Sequence, residues 1–168
     1  TMPDGTPCLV PGTFNVTPAP DGGWLMHPEG DTRAPASGHM PAGGYFFDAI
    51  VRQPPLVEEE LDPQDNLEEF GPVSEAELEH LAESARAARS TGRAVIASFG
   101  GTSFGDIALI PAPALKHPKG IRGVEEWYMA TVTQRDYVLK IFECQLASAL
   151  KNVELLAAAV GDRVQVAF

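Results

Sequence analysis

The sequence predicts an α/β fold: part of a (β/α)8 barrel of the TIM type, with an irregular Pro/Gly-rich N-terminal segment that carries short β-strands. Three observations predict it. Twelve of the fifteen prolines fall in residues 1–73, so regular structure is concentrated after that point. Residues 74–168 alternate helix, strand, loop, short helix, long helix and strand. The first strand-like run there, Arg93–Phe99, is a short apolar run, as expected of a parallel strand covered on both faces. Two strands joined through helices make a right-handed crossover, and a parallel sheet wants more than two strands. The chain is therefore expected to be a piece of a larger α/β domain, for which the eight-stranded barrel is the commonest alternating architecture. Two regions follow: a loop and β-hairpin segment over 1–73, and βα units over 74–168.

Proline fixes φ and removes a donor, so no long helix or central strand fits residues 1–73. Short extended pieces are expected at Cys8–Val10, Phe14–Thr17 and Trp24–His27. Asp21-Gly22-Gly23 reads as the hairpin turn between the last two. His27 to Gly43 reads as irregular loop. The apolar stretch Gly44 to Arg52 is expected to be buried, and the acidic run Glu58–Asp65 to be solvated.

Ser74-Glu75-Ala76-Glu77 is a capping-box pattern, and Leu78, Leu81, Ala82, Ala85 and Ala88 continue at helical spacing to a stop at Gly92. Arg93–Phe99 is the first apolar strand and leads into the glycine-rich loop Gly100 to Gly105. A short helix is expected over Val124–Thr131, and Thr133 is expected to cap a long one. Val138, Phe142, Leu146, Ala149, Val153, Leu156 and Val160 trace its more apolar face. Gly161 ends that helix, and Arg163–Phe168 is the second strand.

At 168 residues the chain suffices for one ordinary domain. Twelve Lys and Arg against 23 Asp and Glu give a net charge of −11, so the basic field that selects nucleic acid or an anionic membrane is missing. The longest uncharged run of the second half, Ala94 to Gly105, is far shorter than the ~20 residues of a spanning helix. Cys8 and Cys144 form no paired ligand set, and no secretory signal opens the chain. A reducing, cytoplasmic setting is expected.

Ile96-Ala97-Ser98-Phe99-Gly100-Gly101-Thr102-Ser103-Phe104-Gly105-Asp106 resembles the strand-to-loop G-F-x-G-x-P-x-T segment of the uroporphyrinogen decarboxylase superfamily. Trp127 to Phe168 is similar to the same family, with Val160-Gly161-Asp162 at its turn before a barrel strand. Asp4-Gly5-Thr6-Pro7 and the stretch Met40 to Asp48 resemble a divergent branch grouped with corrinoid and one-carbon methyltransferases. Ser103 stands where the decarboxylases have proline. The resemblance implies a barrel of which this chain covers the middle.

The resemblance also implies an enzyme that moves a methyl group between a cobalt corrinoid and a thiol, amine or folate acceptor. Its alternative is a carboxy-lyase that decarboxylates the acetate side chains of a porphyrinogen, which needs no cofactor but does need a cationic clamp. The family's arginine-rich clamp motif and its zinc-binding His and Cys residues are both absent here. A reading of another class is a non-catalytic fragment that completes its sheet with a partner chain.

The loop that follows a barrel strand builds the site. The substrate-binding candidates are Phe99, Gly100, Gly101, Thr102, Ser103, Asp106 and His117. The glycines allow close backbone approach, Thr102 and Ser103 offer hydroxyls, and Asp106 offers a carboxylate or caps the turn that follows. Lys116, His117, Lys119 and Arg122 form a local basic cluster that suits a carboxylate or phosphate. His27 and His39 flank Glu29 and Asp31, a weak pattern for a metal. No residue is assigned a catalytic role, and no ligand set for zinc or a corrinoid is present. The expected partners are a small-molecule substrate or a corrinoid protein, with a second copy or the remainder of the barrel completing the sheet.

Overall fold

A computed structural model describes residues 4–67, 71–105 and 110–167. The chain divides into two compact units, the first made of residues 1–69 and 107–137 and the second of 70–106 and 138–168.

In the first unit, β1 (Val16–Pro18), β2 (Trp24–Met26), β3 (Gly38–Met40) and β4 (Asp48–Ala49) form one antiparallel sheet in sequence order. Val16 faces Met26, Trp24 faces Met40 and Gly38 faces Ala49. The β1–β2 turn is the one the glycines predict. Gly22 adopts φ +81°, which an L side chain resists, and the Asp21 carboxylate accepts from Gly23 N at 3.0 Å. The strand β3 lies where the sequence suggests irregular loop, because its neighbours supply the pairing that Gly38-His39-Met40 does not announce by pattern. Cys8–Val10 forms no strand, and Cys8 is exposed rather than core-like. Tyr45 and Phe46 are also exposed, Phe46 by 83%, against the expectation that this apolar stretch is buried.

Helix α2 (Val124–Thr133) completes this unit and buries Trp127 and Ala130. Thr133 does not cap the following helix. It closes α2, its hydroxyl donating to Met129 O at 3.0 Å. Arg122 anchors the segment before α2. It is 1% exposed, and its guanidinium donates to the carbonyls of Lys119, Ile110 and Asp65. Gln53 Oε1 accepts from the backbone N–H groups of Arg122 and Gly123. The Asn66 amide makes a two-way pair with Ile121, at 2.8 and 2.9 Å. These polar groups sit inside because backbone groups of a loop-rich segment must be paired once buried.

The second unit holds α1 (Glu75–Arg89), β5 (Ile96–Ala97), most of α3 (Arg135–Val160), a 3-10 turn at Gly161–Arg163, and β6 (Val166–Ala167). The capping box of α1 is present: Ser74 Oγ accepts from Glu77 N at 3.3 Å and Glu77 Oε2 accepts from Ser74 N at 3.0 Å. The strands β5 and β6 run parallel, Ile96 facing Val166 and Ala97 facing Ala167. This is the side-by-side arrangement expected of the two apolar runs, but only two residues of each run pair.

The barrel expectation is corrected. Among the described residues there are three α-helices, a four-stranded antiparallel sheet and a two-stranded parallel sheet, and no closed barrel. Both strand-like runs are mostly unpaired, and Ile96 is 65% exposed, so neither is covered on two faces as the reading required. The apolar face of α3 is also displaced from the expected one. Val138, Ile141, Gln145, Ala149, Asn152, Leu156 and Val160 are buried, whereas Leu146 and Val153 face outward. Two polar residues take core positions because loop backbone needs their amides.

Candidate functional site

The loop after β5 is held by α3. Asn152 is 1% exposed, and its amide nitrogen donates to Gly101 O at 2.7 Å and to Gly71 O at 3.0 Å. Its oxygen accepts from Val73 N at 2.9 Å. One turn pair earlier, Gln145 Oε1 accepts from Gly105 N at 2.8 Å. Phe104 packs edge-on against Phe142, with ring centroids 6.3 Å apart. The loop from 99 to 105 is thus fixed at both ends by side chains of one helix.

Gly101 carries φ +72°, and a Cβ there would lie 2.8 Å from Asn152 Nδ2. Only glycine satisfies both the backbone angle and the close approach. Thr102 Oγ1 donates to Phe99 O at 3.0 Å, which folds the loop back on the end of β5.

A cleft of about 440 Å³ opens beside this loop, lined by Phe99, Thr102, Val153, Leu156, Val160 and Val164 among others. Among the described residues its lining carries no titratable side chain. Gln165 borders it, but both ends of that amide are used: Oε1 accepts from Val95 N and Nε2 donates to Asp162 O. Thr102 Oγ1, which donates to Phe99 O, offers its lone pairs as a side-chain acceptor at the cleft. The described lining therefore suits a neutral, largely apolar group with one donor.

The other candidates distribute as follows. Phe99 and Thr102 line the cleft, Gly101 braces it, and Gly100 and Ser103 are exposed on the same loop. Asp106 lies outside the described residues. His117 is exposed and belongs to the first unit, not to the unit that holds the glycine loop.

The expected basic cluster is not a surface patch. Arg122 is buried on carbonyls, and Lys116 Nζ lies 3.1 Å from both Glu29 and Asp31. Arg33 also pairs with Asp31, and its hydrogen bonds together with that of Lys116 hold the Asp31 carboxyl well below the usual carboxylate range.

His27 and His39 do not converge on a metal. His27 Nε2 is 2.9 Å from Thr17 Oγ1 and its Nδ1 is 3.1 Å from Ala34 O, while His39 pairs with Asp21 at 2.9 Å. Among the described residues no three His, Cys, Asp or Glu side chains are grouped to hold a metal ion. Nor does any described helix have the length and apolarity to cross a membrane.

The residues that sequence reasoning missed are Asn152, Gln145 and Asn66, while Arg122 was singled out as part of a basic cluster rather than as a buried anchor. For two of them a signal exists: Gln145 and Asn152 interrupt an otherwise apolar helical stripe, the mark of a polar group buried on purpose. Protein-family models, curated proteins and solved structures give no match to this chain.

Proposed function

We propose that the cleft beside the Phe99–Thr102 loop binds a neutral small molecule and that the chain belongs to a one-carbon methyltransferase-type enzyme resembling the uroporphyrinogen decarboxylase superfamily. The observation that carries the binding site is the loop itself. It follows the C-terminal end of a parallel strand, where α/β proteins place ligands, and it is braced by a buried asparagine against a glycine that tolerates no side chain. The enzyme class rests on the loop sequence. Porphyrinogen decarboxylation is the weaker reading, because the cleft holds no lysine or arginine to grip substrate carboxylates.

Among the described residues no donor set is grouped to hold a resident zinc ion, and no histidine lines the cleft to serve as a cobalt ligand. A corrinoid is accordingly assigned to a partner protein that presents it, in a cytoplasmic setting. The chain's own contribution is to seat the methyl acceptor against an apolar wall with Thr102 accepting its single donor.

The test is turnover. Purified protein is mixed with methylcobalamin and a small thiol, and loss of the methyl–cobalt absorbance is followed in parallel with porphyrinogen consumption. Accelerated demethylation without porphyrinogen loss is expected. Porphyrinogen consumption alone would reassign the chain to the decarboxylases, and neither activity would remove the enzyme reading.

A further inference from the structure

Helix α3 carries a second apolar stripe beside its buried face, and two of its residues, Val153 and Ala157, also border the cleft. Leu139, Leu146 and Val153 recur every seven residues; from Leu146 on, Leu150 and Ala157 interleave at alternating steps of four and three, and Glu143 takes the corresponding place between Leu139 and Leu146. That is the spacing of a coiled-coil seam. All five residues are exposed, Leu150 by 58%. They all lie in the second unit. Apolar residues exposed in a contiguous stripe, rather than scattered singly, are the pattern that marks interaction surfaces.

The charges beside the seam say what covers it. Lys140 and Glu154 each lie seven residues from Ala147, in opposite directions, on one flank of the stripe. Glu143 and Lys151 each lie four residues from it. In an antiparallel pair of identical helices, equal flanks meet. A two-fold axis at Ala147 sets Lys140 against Glu154 of the second copy, and Glu154 against its Lys140. A parallel pair offers these charges only the other flank, where Phe142, Ala149 and Leu156 stand. Along its own helix, Lys140 Nζ is 4.0 Å from Glu143 Oε2 and both side chains stay more than 60% exposed, so that contact competes weakly.

We propose that two copies of this chain associate through antiparallel α3 helices, with Leu146 and Leu150 of each copy packed beside the axis and Lys140–Glu154 pairs closing one edge. The isologous symmetry makes each pair occur twice.

Sedimentation equilibrium over a range of protein concentrations tests it. The wild type is expected to dimerise, and Leu150→Glu to weaken association by at least about 100-fold through loss of two central apolar contacts. Lys140→Glu and Glu154→Lys, made singly, set like charges face to face and should each weaken it by about tenfold. The double variant restores opposite charges and should return to within about twofold of wild type. Circular dichroism of each variant reports folding. Should Leu150→Glu not fold, the exposed charge variants carry the test alone. A wild type that stays monomeric, a dimer that these substitutions leave unchanged, or a double variant weaker than both singles would overturn the proposal.

Discussion

The side-chain amide of Asn152 donates to the carbonyl oxygen of Gly101 at 2.7 Å, tying the middle of the long helix to the loop that walls the cleft. The same side chain pairs with Gly71 O and Val73 N, so one residue satisfies three backbone groups of two separate loops. Replacing it with Leu keeps the volume and removes all three partners. Asn152→Leu is expected to cost about 3 kcal/mol, the sum of several unpaired buried groups, measured by urea unfolding. A change under about 1 kcal/mol would mean that the loops are held by something else.

Thr102 braces the loop and offers the cleft a side-chain acceptor. Thr102→Val preserves shape and removes both roles. Stability should fall by no more than about 1.5 kcal/mol, the worth of one neutral hydrogen bond, while ligand affinity falls several-fold. Paired unfolding and titration measurements separate the two effects. Equal affinity in the variant would place the ligand elsewhere.

Ser74 begins α1 by accepting from Glu77 N. Ser74→Ala should destabilise the chain by about 1 kcal/mol, seen as a lower urea midpoint. The hydrogen bonds from the Ser74 side chain and backbone also hold the Glu77 carboxyl below its ordinary pKa. Ser74→Ala should therefore raise the Glu77 titration midpoint in an NMR pH series, and an unmoved midpoint would contradict the cap.

The Tyr137 hydroxyl donates to Asn66 Oδ1 at 2.8 Å. Burial, reinforced by the Asp65 carboxylate and opposed by Arg122, pushes its pKa up to about 12 from an ordinary value of 10.0. The folded state then keeps a proton that the unfolded state releases. The resulting stability is complete below pH 10.0 and declines as pH rises toward about 12. Unfolding free energies across that window should fall for the wild type and stay flatter for Tyr137→Phe. Parallel curves would show that Tyr137 titrates normally.

What was legible in the sequence was mostly local. The Ser74 and Glu77 cap, the Asp21-Gly22-Gly23 turn and the stop at Gly161 each follow from one residue's own hydrogen bonding or φ preference, and each is present. The loop after β5 was singled out by its family resemblance and its run of glycines, of which Gly101 takes a positive φ. Long-range pairing was legible only for β5 and β6, which lie side by side and parallel as expected. The three residues of β3 carry no pattern of their own, and the sheet forms because β2 and β4 lie on either side. The apolar runs at 93–99 and 163–168 looked like fully covered strands because hydrophobicity reports the need for burial, not the partner that meets it. Reading α3 by apolarity alone chose Leu146 and Val153 for its core. The buried face instead includes Gln145 and Asn152, since loop carbonyls and amides outbid two aliphatic side chains for those positions.

The cleft as the ligand site is tested most directly by an amide NMR titration of the intact chain with methylcobalamin and, separately, with a small thiol. The account predicts that at least one of them shifts signals concentrated at residues 99–105 and 160–167, and that Gly101→Val abolishes the shifts while the signals of α1 stay in place. Shifts centred on other residues, or none with either compound, would contradict it.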